Sequence, residues 1–302
     1  MTAVVLLGLL LQVCGAPPPP PAQAAPPAAE VYLARLEPST DGNIRVESPE
    51  NISNSPGYDN QPFFTPDGAA VLFTSNRDGK QTDIYRYDLA PKAIARLTNT
   101  PESEYSPVVT LAADRFSTIR VEADGTQRLW EFRRVADLAY VPELVLKDVK
   151  PVGYHAWADR DTLVLFVLGE PATLRVADVK TGRAEVVATR PGRCLARMPG
   201  GNISFVQKGA AKEPWRIVEL DPRARRQTPL VETLDGREDY AWLPDGRLLM
   251  ASGSKLFLWD RNDRVPVWKE VADLARSGLA NITRLAVSPD GKRLAFVSDA
   301  GR

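Results

Sequence analysis

"QPFFTPDGAAVLFTSNRDGKQTDIYRYDLAPKAIARLTN", Gln61–Asn99, is the stretch that decides the fold. Its Thr65-Pro66-Asp67-Gly68 turn combines a Pro that fixes φ, an Asp whose carboxylate bonds back to the local backbone, and a Gly that takes the left-handed position. "AVLFTS" from Ala70 then reads as an uninterrupted apolar strand, "DIYRYD" from Asp83 as an alternating one, and "IARLT" from Ile94 as a further one. With the segment that enters the turn, these make a four-stranded antiparallel meander.

The turn returns as "LPDG" at Leu243–Gly246 and "SPDG" at Ser288–Gly291, and in degraded form as "TLAAD" from Thr110, "ADRD" from Ala158 and "MPGG" from Met198. Counted from Pro66, the slots fall at Leu111, Asp159, Pro199, Pro244 and Pro289, with spacings of 45, 48, 40, 45 and 45 residues. That period marks six units. Each has an apolar strand after its turn, and five have an alternating third strand such as "TLRVAD" from Thr173 or "KLFLWD" from Lys255. Fourth strands follow, "ELVLK" from Glu143 being that of the second unit. Asp88, Asp178, Asp221 and Asp260 end third strands and are expected to cap the turns after them. A unit this small cannot bury both faces alone, and radial packing of successive sheets solves the problem. The expected fold is therefore all-β, a six-bladed β-propeller of four-stranded antiparallel blades. The last unit ends after two strands, while "EVYLAR" at Glu30–Arg35 and "NIRVES" at Asn43–Ser48 carry the patterns of a third and a fourth. N-terminal strands completing the last blade would close the ring. Helix is expected only as a turn within "VADLARSGLA" from Val271.

Among 302 residues Lys plus Arg and Asp plus Glu are each 38, so no net field draws in nucleic acid, and none is expected as a partner. The basic run "RARR" at Arg223–Arg226 falls in a hairpin-turn slot and reads as a solvated loop. Thr2–Val13 is apolar and uncharged, too short to span a bilayer, and leads into a Pro/Ala-rich stretch. The expected organisation is a leader over 1–16, a linker over 17–29 and a propeller over 30–302. Cys14 stands where a bacterial lipoprotein carries its lipidated cysteine; cleavage near Ala24 and release is the other outcome. Either route exports the chain to a periplasmic or extracellular place, with membrane contact only through a lipid anchor. The other cysteine is Cys194, so loss or lipidation of Cys14 leaves no intramolecular disulfide.

Gln61–Asn99 resembles the repeat of the TolB-like propellers, the PD40 or WD40-like pattern. There a Pro, an aromatic, Ser/Thr-Pro-Asp-Gly, an apolar strand, an Arg-Asp-Gly turn, an Ile-Tyr strand and a terminal Leu-Thr follow in that order. The resemblance covers Glu30 to Arg302, closely in the first and last units and loosely in the middle three. It implies the propeller fold, and for function either a periplasmic binding protein or a propeller of the kind attached to peptidases. The TolB protein proper has an α/β domain before its propeller, whereas the residues before Glu30 here read as leader and linker. No Gly-X-Ser-X-Gly elbow is present in the sequence.

Chemistry is sparse. His155 is the single histidine, and a Cys-His machine would have to pair it with Cys194; a core cysteine and a strand histidine are the structural alternative. No Gly-rich nucleotide loop is present and no cofactor is implied, although calcium held by carboxylates and carbonyls stays open. "DRND" from Asp260 suggests such a site but repeats the strand-ending Asp and its turn.

Propeller geometry gives the better candidates, because the loops entering the first strands form one rim of the channel. Those segments pair Tyr58 with Asp59, Tyr105 with Glu104, Tyr154 with His155 and Tyr240 with Asp239, and Arg193 and Arg284 add positive charge. A ring beside a hydrogen-bonding acid suits a saccharide, a peptide or an envelope or secreted protein. Repeat symmetry and the need of buried Tyr hydroxyls for partners explain the same pattern without a ligand. Two functions follow: a monomeric, exported, non-catalytic binding or scaffold module working through this rim, or a small hydrolase or lyase using carboxylates at the channel mouth, where Asp59, Glu104, Glu238 and Asp239 are the acids available.

Overall fold

The computed structural model describes residues 27–299 apart from 41, 113 and 212; the expected leader, Cys14 and most of the linker lie outside the described residues. β1 (Ala29–Pro38) and β2 (Ile44–Asn51) come first in the chain. Blade 1 follows as β3 (Asp59–Phe64), β4 (Ala70–Ser75), β5 (Asp83–Asp88) and β6 (Ala93–Arg96). Blade 2 is β7 (Ser103–Val109), β8 (Arg115–Val121), β9 (Gln127–Ala136) and β10 (Ala139–Leu144). Blade 3 is β11 (Val152–Trp157), β12 (Thr162–Val167), β13 (Thr173–Asp178) and β14 (Ala184–Thr189). Blade 4 is β15 (Pro191–Arg197), β16 (Ile203–Gln207), β17 (Arg216–Asp221) and β18 (Arg226–Glu232). Blade 5 is β19 (Tyr240–Trp242), β20 (Leu248–Ser252), β21 (Lys255–Trp259) and β22 (Lys269–Asp273). β23 (Thr283–Val287) and β24 (Arg293–Asp299) complete the chain.

Blade 6 has the order β2-β1-β24-β23, with β1 antiparallel to β24 in a register that sets Val31 against Val297 and Arg35 against Arg293. The two ends of the described chain therefore share one sheet. The inner strands β3, β7, β11, β15, β19 and β23 contact one another in sequence, and β23 meets β3.

The burial pattern shows why the units need each other. The second strand β4 is buried at every position, and the other second strands are buried except at their ends, because neighbouring blades cover both their faces. Fourth strands are the exposed edges, and Pro49 in β2, Pro142 in β10 and Pro229 in β18 blunt them by removing a backbone donor. There is no single central core. Six apolar clusters lie one at each blade boundary, for example Leu163 and Leu165 with Ile119 and Leu129 between blades 2 and 3, and Tyr240, Trp242 and Met250 with Val206 and Ile217 between blades 4 and 5.

The turns use the expected chemistry. The Thr65 hydroxyl and the Ala69 N–H both donate to Asp67 Oδ1, at 2.5 and 2.9 Å, while Gly68 sits at φ +68°. The Ser288 hydroxyl and the Lys292 N–H repeat this on Asp290, at 2.5 and 3.0 Å. Asp178, Asp221 and Asp260 accept N–H bonds from the turns they precede, at 2.8, 3.0 and 2.8 Å. Asp88 differs: it takes the Arg86 guanidinium at 2.6 Å instead. Blade 2 departs from the expected strand at Glu143, because β9 continues to Ala136 and a tight turn with Leu138 at φ +52° starts β10 four residues earlier, at Ala139. The expected helical turn is a 3-10 turn at Ala275–Ser277, after β22 has taken Val271.

Candidate ligand site at the channel mouth

The entering segments hold their side chains by close backbone approach. Asn76 Oδ1 accepts the Tyr58 N–H at 2.6 Å, and a Cβ on Gly57 would stand 2.0 Å from that oxygen, so only glycine leaves room for the clamp. Gly192 plays the same part before Arg193: a Cβ there would lie 2.8 Å from the Val206 Cβ and 3.0 Å from Glu238 Oε2, which accepts the Arg193 N–H at 3.0 Å.

Six side chains meet above these segments. The Arg284 guanidinium donates through Nη1 to Asp239 Oδ1 at 3.3 Å and through Nη2 to the Tyr154 hydroxyl at 3.0 Å, and it covers the Tyr154 ring at 5.1 Å. Tyr58 feels Arg284, Tyr154, Tyr105 and Arg193, and burial pushes its hydroxyl pKa well above the ordinary value. Tyr58, Tyr105, Tyr154, Arg193, Asp239 and Arg284 come from blades 1 to 6 in turn, so they can meet only on the axis of the ring. Arg193 Nε donates to Glu238 Oε1 at 2.6 Å, and Lys208 Nζ reaches Glu238 Oε2 at 2.9 Å from above the Trp215 ring. Burial disfavours the Glu238 carboxylate, but Lys208 and Arg193 overcome this and hold its pKa below the usual range.

The expected ring-and-acid pairs do not form, because successive residues of a strand point to opposite faces. Asp59 and Glu104 are turned away from the tyrosines beside them and are fully buried. Asp59 pairs with Arg77 at 3.3 Å, the guanidinium lying over the Tyr85 ring at 4.6 Å; Glu104 pairs with Arg120 at 3.1 Å, and that guanidinium lies over Trp130 at 4.3 Å. Burial pushes Glu104 up to about 7 against the Thr100 hydroxyl and Arg120.

His155 and Tyr240 are also buried away from the mouth, at equivalent places. His155 Nε2 lies 2.7 Å from Ser117 Oγ, which accepts the Trp157 indole N–H at 2.8 Å. The Tyr240 hydroxyl and the Trp242 N–H both donate to Ser204 Oγ at 2.8 Å. Each Ser carries the two polar tips that the following blade brings to the boundary. Cys194 donates to the Tyr240 carbonyl oxygen at 3.4 Å, and burial pushes its thiol up to about 12. His155 and Cys194 thus serve different blade boundaries, and their contacts form no nucleophile and base.

No protein-family model and no curated protein matches the sequence. Solved structures do match the fold. The TolB candidate of Agrobacterium tumefaciens aligns at a TM-score of 0.67 and 15% identity, over 90% of this chain and 98% of that one. TolB of Acinetobacter baumannii aligns at 0.55 and 14%, over 91% of this chain and 65% of that one, so this chain spans just under two thirds of its length. An oligogalacturonate lyase in complex with manganese aligns at 0.58 and 14%, over 86% and 84%. The fold is a TolB-like six-bladed propeller.

That lyase fold allows a metal to be tested against the residues present. Among the described residues no three His, Cys, Asp or Glu side chains converge to hold a transition metal, and His155 is held at a blade boundary. At "DRND", Asp260 accepts the Asn262 N–H at 2.8 Å and Asp263 takes Lys269 at 2.7 Å, which is turn chemistry.

The sequence named the entering loops but did not separate the side chains that meet at the mouth from those buried at blade boundaries. Asn76 and Lys208 went unnoticed because each lies outside the entering segments. The legible signal was a glycine immediately before Tyr58, Tyr154 and Arg193, three of the six side chains at the mouth.

Proposed function

We propose that this chain is an exported, non-catalytic propeller that binds a ligand or partner through the rim where its inner strands begin. The observation that carries this reading is the convergence of one side chain from each of six blades, three tyrosines on one half and Arg193, Asp239 and Arg284 on the other. The apolar uncharged stretch at Thr2–Val13 supports export, and the likeness to TolB propellers supports a binding role by analogy of fold. The chain enters the propeller at this same rim, where the Ala29 N–H donates to the Gly57 carbonyl at 3.2 Å, so a tether at the N-terminus would hold the rim toward its anchor.

The lyase or hydrolase reading has the oligogalacturonate lyase in its favour. It asks for two carboxylates facing one substrate, one protonated and one ionised. Asp59 and Glu104 are buried with arginines, while Glu238 and Asp239 are each held by cations, which favours binding over turnover.

The test is capture from an envelope extract by immobilised protein, comparing wild type, a Tyr58→Ala/Tyr105→Ala/Arg193→Ala variant and a Tyr240→Phe control. We expect the triple variant to lose a captured component, by tenfold or more, that the control retains. Equal capture by all three would end the rim assignment, and turnover of an oligosaccharide by wild type would move the reading to the enzyme.

A further inference from the structure

The mouth has more donors than the protein can satisfy. An arginine carries five N–H groups and no acceptor. Arg284, with its side chain 14% exposed, spends one on Asp239 and one on the Tyr154 hydroxyl. Arg193 commits its Nε–H to Glu238, and its side chain is 46% exposed. Among the described residues no partner hydrogen-bonds the Tyr58 or Tyr105 hydroxyl. Three cations, Arg193, Lys208 and Arg284, face two acids, Glu238 and Asp239, so one positive charge is uncompensated.

We infer that the mouth binds a small organic monocarboxylate, its carboxylate held by Arg193 and Arg284 and its ring or apolar body lying against Tyr58, Tyr105 and Tyr154. This rests on the rim reading above and names its ligand class. A carboxylate is acceptor-only and planar, and it matches the fork of a guanidinium; its single charge balances the excess, where a phosphate dianion would overshoot. Arg284 is already fixed, stacked on Tyr154 and hydrogen-bonded to it, so little side-chain freedom is lost on binding. Asp239 holds the guanidinium in place and competes for it, which makes Asp239 a positioning residue.

The experiment titrates the full chain with benzoate, its neutral isostere benzamide and phenyl phosphate by calorimetry. Saturable benzoate binding is expected, with phenyl phosphate at least fivefold weaker and benzamide silent. Arg284→Lys keeps the charge but loses the fork and should weaken benzoate tenfold or more. Tyr105→Phe removes only an unpartnered hydroxyl and should weaken it about threefold with an unchanged Tm. Equal binding of benzoate and benzamide, lost in Tyr105→Ala, would overturn the anion assignment while leaving the rim as a binding site. Benzoate bound equally by wild type and Arg284→Lys would place it elsewhere and overturn the proposal, as would no binding of benzoate; neither result bears on capture through the rim, which the extract experiment decides separately. Phenyl phosphate binding more tightly than benzoate would overturn the monocarboxylate class.

Discussion

Toward blade 1, blade 2 buries a carboxyl beside a guanidinium; toward blade 3, it receives a neutral ring. On the first side Glu104 is fully buried beside Arg120, itself 7% exposed, and the adjoining apolar cluster is small: Leu72, Ile84, Leu97, Phe116 and Phe132. On the second side Ser117 meets His155 and Trp157 within a larger cluster that includes Leu129, Leu163 and Leu165. Burial pushes Glu104 up to about 7, and burial pushes His155 down to about 3, so each is driven toward its neutral form. The difference teaches what a boundary needs in order to keep a polar group. With a guanidinium stacked on two rings, blade 1 and blade 2 can keep a carboxyl; with only the Ser117 hydroxyl as partner, shared with the Trp157 indole, blade 3 can keep only an uncharged imidazole.

The sharpest way to break this comparison is to remove the cation. Arg120→Met leaves Glu104 buried without its partner and should cost about 3–5 kcal/mol, read as a lower urea midpoint at pH 8. Combining it with Glu104→Leu should recover most of that loss, because replacing both members of a buried pair with apolar groups is often nearly neutral. If Arg120→Met unfolds at the wild-type midpoint, the carboxyl is not charged there and the contrast between the two faces fails.

A smaller effect is expected from pH, and its sign differs between the faces. Glu104 rises from an ordinary 4.5 to about 7, so its contribution to stability is full below about 4.5 and is lost as pH rises through 7. His155 falls from 6.5 to about 3, so its contribution is full above about 6.5 and is lost as pH falls toward 3. Between about pH 4.5 and 6.5 the two nearly cancel, since the unfolded chain protonates the imidazole where the folded one protonates the carboxyl. Glu104→Gln should therefore give a stability that rises with pH across that window, by about 1.4 kcal/mol per unit relative to wild type, and His155→Gln one that falls by a similar amount. Urea midpoints at three pH values measure both slopes, and parallel profiles for all three proteins would refute the assignment of either group.

How much of this was legible depends on the range of the interaction. The propeller and its closure followed from Thr65-Pro66-Asp67-Gly68 and its recurrences, because turn chemistry and strand alternation are local and repeat at a fixed period. The loops at the channel mouth followed from the same period. The roles of Tyr58 and Asp59 did not, since which of two adjacent strand residues faces the axis depends on the bulges that interrupt the inner strands. β3 shifts register between Asn60 and Phe63, and β7 between Tyr105 and Val108. Arg77 and Arg120 were invisible as counterions because each comes from beyond the entering segment and finds its acid only when the blade is folded. "YHAW" at Tyr154–Trp157 and "DYAW" at Asp239–Trp242 held a missed clue: the shared Trp two residues after His155 and Tyr240 marks both as boundary residues and leaves Tyr154 and Asp239 for the mouth.

The smallest expected effect sharpens that last equivalence. Ser117→Ala takes the partner from His155 and Trp157, and Ser204→Ala takes it from Tyr240 and Trp242; each strands two buried polar tips of the following blade. Leaving a buried donor unpaired costs about 1–3 kcal/mol, while the volume lost with one hydroxyl oxygen is small, so both variants should lose stability within that range and by similar amounts. Trp157→Phe and Trp242→Phe, which remove one donor each and leave the serine in place, should cost less in both cases. The comparison is decisive because the two nodes differ in one member only, an imidazole against a phenol. Should Ser204→Ala lower the urea midpoint while Ser117→Ala does not, the histidine is bound by something other than the serine hydroxyl, and the two faces of blade 2 would differ in packing alone.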